Sequence, residues 1–453
     1  MNEAIHKIEE ILSSFNPLEI IAQISKHIAT SNLQEHAESE DMLWYPLIEY
    51  LMSLALTKPM PTSPKKIENS TIDAILKLWT QLKTNFSLYY ISESVDKKGD
   101  KEAEIRFKLI LDYFSLRGKS YPPILEKTFL ELFEPHEEHL INTLGFSAKD
   151  FNDFIGYSKS AITSSINEEF EALQSLEKLH SRFSKWIKGQ NVQGETPDNT
   201  MKRFIGTDPT LKSLQAKANH LSKIRAYDGL EIQPQNKLHE KILNYISCSF
   251  GDNKAFLEPK KMRAWPTNDT IVSECPVISV EDEHYLFSYA TLAWNRIAIL
   301  ENLLQKSSPD YYQDRYRPTR DRYVEKTTIS LLRTLLPDAF IDDTLYYYIE
   351  EDGIRKRVEL DGLVLYDDCL LLIEAKAGML PVPARRGAMK GLKGKVKEIL
   401  KKGHSQAIRA LDYIMSSQKV DFVDEDDNVK VTIEGEELSD KIRKIYDFEL
   451  LFG

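Results

Sequence analysis

Apolar residues recur at helical spacing through the first two-fifths of the chain. Ile5, Ile8, Leu12 and Phe15 fall on one side of a helix. Asn16-Pro17-Leu18-Glu19 marks a fresh helix start: Asn caps, Pro takes the first helical position, and Glu is placed to reach back to the cap. Leu18, Ile21, Ile24 and Ile28 continue that face. Lys58-Pro59-Met60-Pro61-Thr62-Ser63-Pro64 holds three prolines, which leaves no room for a helix and predicts a loop. Helical patterns resume at 72–86 and 104–116. Ser147-Ala148-Lys149-Asp150 has capping-box spacing, and a long amphipathic run covers 160–187. Residues 188–209 are rich in Gly, Asn, Gln, Asp and Thr and predict a linker. No fixed-period repeat is present, which excludes a solenoid of regular repeats.

The period changes further along. Thr270, Ile271 and Val272 are β-branched, residues 276–280 are largely so, and together with 284–288 they predict a small hairpin, followed by a helix at 290–305. From Tyr311 the order becomes helix, three strands, helix. The helix is predicted at 322–336, with Val324, Thr328, Leu331, Leu332 and Leu335 on one side. A strand at 344–349 is aromatic and β-branched. Apolar strands at 357–366 and 369–375 are joined by Asp367-Asp368, a tight turn. Residues 396–415 predict a helix that Gly403 weakens, and 429–433 and 446–452 are strand-like. The last stops at Gly453 without a polar tail, which fits a truncated chain at least as well as a natural end. The expected class is α+β: a helical N-terminal domain at 1–190, a linker with a small mixed helix and hairpin region at 191–310, and a C-terminal αβββαβ domain at 311–453.

Composition narrows the function classes. With 453 residues, two to four domains are expected at roughly 100–200 residues each. A hydrophobic content of 42% and a charged content of 28% exclude wholesale disorder. No apolar run approaches the roughly 18 residues of a membrane helix, and the first fifteen residues lack a signal peptide's apolar block. Cys248, Cys275 and Cys369 are too far apart for a disulfide framework or a cysteine zinc site, so a cytoplasmic protein without a membrane partner is expected. The net charge of −11 argues, over the whole chain, against nucleic acid.

Two strands carry the candidate chemistry. With a period of two, Glu359 and Asp361 project to one face of the first, and Glu374 and Lys376 to one face of the second. If the strands pair through their turn, four ionisable groups converge on an otherwise apolar sheet, with Val358, Leu360, Leu371, Ile373 and Ala375 on the opposite face. Buried charge is costly unless paired or metal-bound. Carboxylates on neighbouring strands make a hard oxygen site suited to Mg²⁺ or Mn²⁺. A nearby lysine can hold water or stabilise phosphoryl charge. Glu359 has an alternative role, orienting Lys376 or pairing with Arg357.

Val358-Glu359-Leu360-Asp361-Gly362-Leu363-Val364, followed by Leu372-Ile373-Glu374-Ala375-Lys376, resembles the PD-(D/E)XK nuclease superfamily, the restriction-endonuclease-like folds, near its nuclease-related-domain branch. The resemblance covers about 311–452. It implies an αβββαβ core and divalent-metal-dependent phosphodiester cleavage. On this resemblance Asp361 and Glu374 are the metal ligands and Lys376 is the catalytic lysine. Glu325 matches the helical glutamate, a third ligand. Gln406 matches the glutamine on the following helix, with Arg409 and Tyr413 on its side. Leu360 stands where the family often has proline. Pro337-Asp338 is a literal match in a loop position and is set aside as a decoy.

The charge is unevenly spread. From Lys376 to His404 stand nine basic residues and one acidic one, Glu398. Arg385, Arg386, Lys390, Lys393, Lys395 and Lys397, with Arg409, are therefore candidates for tracking a phosphate backbone. The expected function is a metal-dependent nuclease, with DNA favoured over RNA by the family resemblance and bacterial antiviral defence as the context suggested by family analogy. Two rivals stand beside it: a non-catalytic nucleic-acid-binding module, and a helical scaffold with a vestigial nuclease fold. A homo-oligomer or a protein partner bound through the helical region completes the expected partners.

Overall fold

The structure, a computed structural model, describes residues 1–31, 45–96, 100–115, 121–191, 193–221, 225–258, 262–367, 369–377, 389–434 and 445–448. The chain divides into two compact units. The first is Met1–Ser92, Phe114–Leu130 and Glu137–Leu303; the second is Glu93–Tyr113, Glu131–His136 and Leu304–Gly453. The fold is mixed α+β, with a large helical N-terminal region and a C-terminal sheet.

Helices α1 (Asn2–Ser14), α2 (Pro17–Ser31), α3 (Tyr45–Ala55), α4 (Asn69–Asp96), α5 (Lys101–Ser115), α6 (Pro122–Phe133), α7 (Glu137–Leu144) and α8 (Ala148–Ile187) fill the region expected to be helical. Helix α1 buries Ala4, Ile5, Ile8 and Leu12, the stripe its spacing requires. At the start of α2, Asn16 Oδ1 accepts the Leu18 N–H at 3.0 Å. The capping box before α8 is formed: Ser147 Oγ accepts the Asp150 N–H at 3.0 Å, and Asp150 Oδ2 accepts the Ser147 N–H at 2.8 Å.

The span expected as a linker carries helical structure in its described residues and falls inside the first unit. Helices α9 (Pro197–Ile205) and α10 (Pro209–Leu221) pack on the second half of α8 around Leu179, Phe204, Ile205, Leu211 and Ala218. A polar composition concealed α9 because three apolar residues, Met201, Phe204 and Ile205, suffice to anchor so short a helix. The expected hairpin is one edge of a three-stranded sheet. After helix α11 (Lys237–Ile246), β1 (Ser247–Ser249) pairs in parallel with β2 (Val277–Val280), and β2 pairs antiparallel with β3 (Glu283–Tyr285). Residues Ile271–Ser273 form a 3₁₀ turn instead of a strand. The helix expected at 290–305 breaks at Asn295 into α12 (Tyr289–Trp294) and α13 (Arg296–Ser307).

In the second unit, α14 (Arg317–Leu335) follows a π turn at Tyr312–Tyr316 and begins earlier than expected, because Pro318 sits comfortably in a first turn. It buries Val324, Thr328, Ile329 and Leu332, whereas Leu331 and Leu335, expected on the same side, are 46% and 64% exposed. Then come β4 (Phe340–Glu351), β5 (Ile354–Tyr366) and β6 (Cys369–Ile373), an antiparallel meander. Asp367 has a φ of 51°, as a two-residue hairpin turn demands; Asp368 lies outside the described residues. Helices α15 (Met389–Val396) and α16 (Lys402–Met415) flank a π turn at Lys397–Lys401, so the expected helix is longer and interrupted. Strands β7 (Lys419–Val423) and β8 (Val429–Glu434) form a hairpin, and β9 (Ile445–Phe448) pairs in parallel with β6. The sheet order is β8-β7-β4-β5-β6-β9. Sequence patterning missed β7, which is short and carries alternate charges.

Each face of this sheet has its own core. Leu345, Tyr347, Leu360, Leu363, Leu370 and Leu372 pack with Ala407, Ala410 and Ile414 of α16. Val364, Leu371 and Ile373 pack with Ile329 and Leu332 of α14. The single apolar face expected for Val358, Leu360, Leu371 and Ile373 is thus divided between the two cores, because β5 changes sides along its length. Val358 and Leu360 face α16; two residues on, Gly362 meets Ile329 of α14, and Leu363 faces α16 again.

Candidate active site

Asp361 sits at that change of sides. The β5–β6 register pairs Gly362 with Ile373, and its next step sets Asp361 opposite Glu374, just beyond the end of β6. The structure brings both carboxylates and Lys376 into direct contact. Lys376 Nζ lies 2.8 Å from Glu374 Oε2 and 3.4 Å from Asp361 Oδ2. Asp361 Oδ2 also accepts the Ala375 N–H at 2.8 Å. The Glu374 side chain is 3% exposed and the Lys376 side chain 26%. Glu374 Oε1 is buried and, among the described residues, has no hydrogen-bond partner, a state that costs about 1–3 kcal/mol or more for a charged group.

The electrostatics follow from this burial. Burial pushes the Glu374 carboxyl up to about 7, with the Asp361 charge adding to the effect and Lys376 opposing it. Asp361 is also raised by burial, against the pull of Lys376 and the Ala375 amide. For Lys376, burial favours the neutral amine, but Asp361 and Glu374 together outweigh it and hold the pKa above the ordinary lysine value. Glu325, on α14, is pushed up to about 7 by burial first, then by the charges of Asp361 and Glu359.

The other expected residues are placed less directly. Glu325 and Glu359 stand within electrostatic reach of the pair. Among the described residues, however, no three His, Cys, Asp or Glu side chains are arranged to hold a metal ion. Glu359 is exposed and makes no bond to Lys376 or Arg357; its Oε1 accepts the Tyr346 hydroxyl at 3.4 Å. Arg357 donates instead to the carbonyls of Asp424 and Glu425, at 2.7 and 2.8 Å. Gln406 is half-buried on α16, without a hydrogen bond to the three central residues among those described, and Arg409 is exposed. Tyr413, expected beside them, stacks on Tyr347 with ring centroids 4.9 Å apart and belongs to the core. Arg385 and Arg386 lie outside the described residues. Lys390, Lys393 and Lys397 are exposed on α15 and the turn after it; Lys393 pairs with Glu102 of α5, and Lys395 pairs with Glu398 at 2.9 Å. No family model, curated protein or solved structure matches this chain.

Sequence reasoning missed Tyr346, Tyr347 and Gly362. The Tyr347 hydroxyl is buried without a partner among the described residues, and burial pushes its pKa up to about 12, with nearby Arg409 opposing and Glu374 adding. Nothing marked these tyrosines within an aromatic strand. Gly362 carried a signal, since glycine inside an apolar strand marks a bulge or a close approach. A Cβ there would lie 2.4 Å from Ile329 Cδ1.

Proposed function

We propose that the second unit is a divalent-metal-dependent nuclease of the PD-(D/E)XK kind, with DNA favoured over RNA as substrate. The observation that carries this reading is the orphaned Glu374 Oε1: a buried carboxylate oxygen without a donor among the described residues, opposite Asp361. Such an oxygen is suited to a cation, and an all-oxygen donor set suits Mg²⁺ or Mn²⁺. Asp361 and Glu374 would hold the ion, with Glu325 near enough to add charge. When bound, the ion supplies Lewis-acid activation of water and neutralises charge on the phosphate.

The chain's own residues do the rest. The Lys376 ammonium has three N–H donors and commits two to Glu374 and Asp361. The third is left for a phosphate oxygen or for the attacking water, at a partly exposed position. The Ala375 amide fixes the Asp361 carboxylate, so its orientation does not depend on the substrate. The topology supports the same reading: helix α14, an antiparallel meander, helix α16, then a strand parallel to the third strand of the meander, with β7–β8 added on the edge of β4. The exposed lysines of α15 would track the backbone.

The test is a cleavage panel of single-stranded DNA, duplex DNA and RNA, each with Mg²⁺, Mn²⁺ or chelator. Metal-dependent cutting of DNA is expected. No cutting of any substrate with either metal would refute the nuclease reading and leave the binding module or the scaffold.

A further inference from the structure

Among the described residues, six non-glycine residues have a positive φ. Ala264, Glu281, Asp352, Asp367 and Asp427 lie in turns; Thr344, with a φ of 50°, lies in the middle of β4. A β-branched residue in the left-handed region is a true outlier, because its branched Cβ crowds the backbone there. Strain of this kind persists only when the surroundings impose it, and it collects at functional sites.

The register shows what surrounds it. Asp343 pairs with Gly362 and Leu345 with Leu360, so Thr344 stands opposite Asp361 at the one step these pairs skip. Both strands change sides here. On β4, Ile341 faces α14, whereas Leu345 and Tyr347 face α16; on β5, Leu360 faces α16 and Val364 faces α14, with a parity opposite to the start of the strand. The strands kink together, so the pairing survives while the alternation of faces is reset. Gly362 is thereby turned away from the α16 core, and Asp361 stands at the step where the two alternations meet.

We propose that Thr344 is a positioning residue: its left-handed backbone produces the paired kink that aims the Asp361 carboxylate at the Ala375 amide and Lys376. The catalytic consequence rests on the nuclease reading; the structural consequence does not. A regular strand at Thr344 would keep the parity of Leu360 running through Gly362 and Val364. It would also drive Val364 out of the α14 core, so the kink and the site geometry are set together.

The experiment uses the full chain with Thr344→Gly, Thr344→Asn and Thr344→Val. Gly and Asn accept a positive φ; Val resists it more than Thr does. Three readouts are taken: thermal unfolding, hydrogen exchange of the Ala375 amide, and kcat and KM for DNA cleavage. For Gly and Asn we expect melting about 2–6 °C above the parent, from relieved strain. Their Ala375 protection should be unchanged and their kcat within about threefold. For Val we expect lost Ala375 protection and a kcat about a hundredfold lower, with little change in KM, as for a misplaced reacting group. If Val does not fold, the Gly and Asn variants decide alone: melting no higher than the parent, or loss of Ala375 protection, overturns the proposal. A Val variant with parental protection and kcat overturns it too. If the parent protein cuts nothing, the nuclease reading fails, while melting and amide exchange still judge the kink.

Discussion

Lys376 is the one cation in contact with Asp361 and Glu374 among the described residues, and both carboxyls are held above their ordinary range by burial. Replacing it by Ala removes hydrogen bonds to charged groups worth about 1.5–3 kcal/mol. Chemical denaturation in chelator should register that loss. Glu325 and Glu374 also set a pH dependence. Both carboxyls are pushed up to about 7 in the fold, above the 4.5 of an ordinary glutamate. Below pH 4.5 both are protonated in either state and contribute nothing. As pH rises from about 4.5 to 7 the unfolded chain releases its protons first, and the metal-free protein loses stability. The effect is complete above about pH 7. Glu325→Gln should flatten that decline in urea unfolding, and an unchanged slope would show that Glu325 is not desolvated. Asp361, Glu374 and Lys376 stood out in the sequence because charge at the end of strands otherwise apolar enough to be buried is costly unless paired or metal-bound. Thr344 was not, because its identity is ordinary for a strand and only its φ is unusual.

At the scale of elements, the site depends on how closely α14 approaches β5. Gly362→Ala would place a methyl group 2.4 Å from Ile329 Cδ1, against a buried neighbour. A loss of about 1–3 kcal/mol is expected for such overpacking, readable as a lower denaturation midpoint. The basic segment gives a second element-scale test. Neutralising Lys390, Lys397, Arg385 and Arg386 should shallow the dependence of log K on log salt by up to about 0.9 per lost phosphate contact on duplex DNA. Lys393 and Lys395 should contribute less, since Glu102 and Glu398 already pair with them. An unchanged slope would contradict backbone tracking by this segment. Helix and strand order in the second unit was legible because α14, β5, β6 and α16 carry strong, distinct periods. β7 and α9 were not, because each is short and anchored by a few apolar residues amid polar ones. The exposed Leu331 and Leu335 have a related cause: helical spacing shows which residues are neighbours but not how wide a strip the sheet covers.

Over the whole molecule, the net charge of −11 concealed a local excess of basic residues beside Lys376. The structure tempers that excess, since part of it is paired with acidic side chains on α5 and on the turn after α15. The sequence pattern divided the chain into 1–190, 191–310 and 311–453, whereas the second unit takes in Glu93–Tyr113 and Glu131–His136 besides Leu304–Gly453. In the first unit β1 was not legible, because Ser247 pairs with Val277 far along the chain, and the fold of 188–209 was not, because its few apolar anchors lie within a polar stretch. The proposed function requires that Asp361, Glu374 and Lys376 form a hydrolytic centre and not only a buried ion cluster. The direct measurement compares the full-length protein with Lys376→Ala for both binding and cleavage of labelled DNA in Mg²⁺ or Mn²⁺. Cleavage by the parent, lost at least about a hundredfold in the variant with binding largely retained, is the expected result. Equal cleavage by both proteins would contradict it.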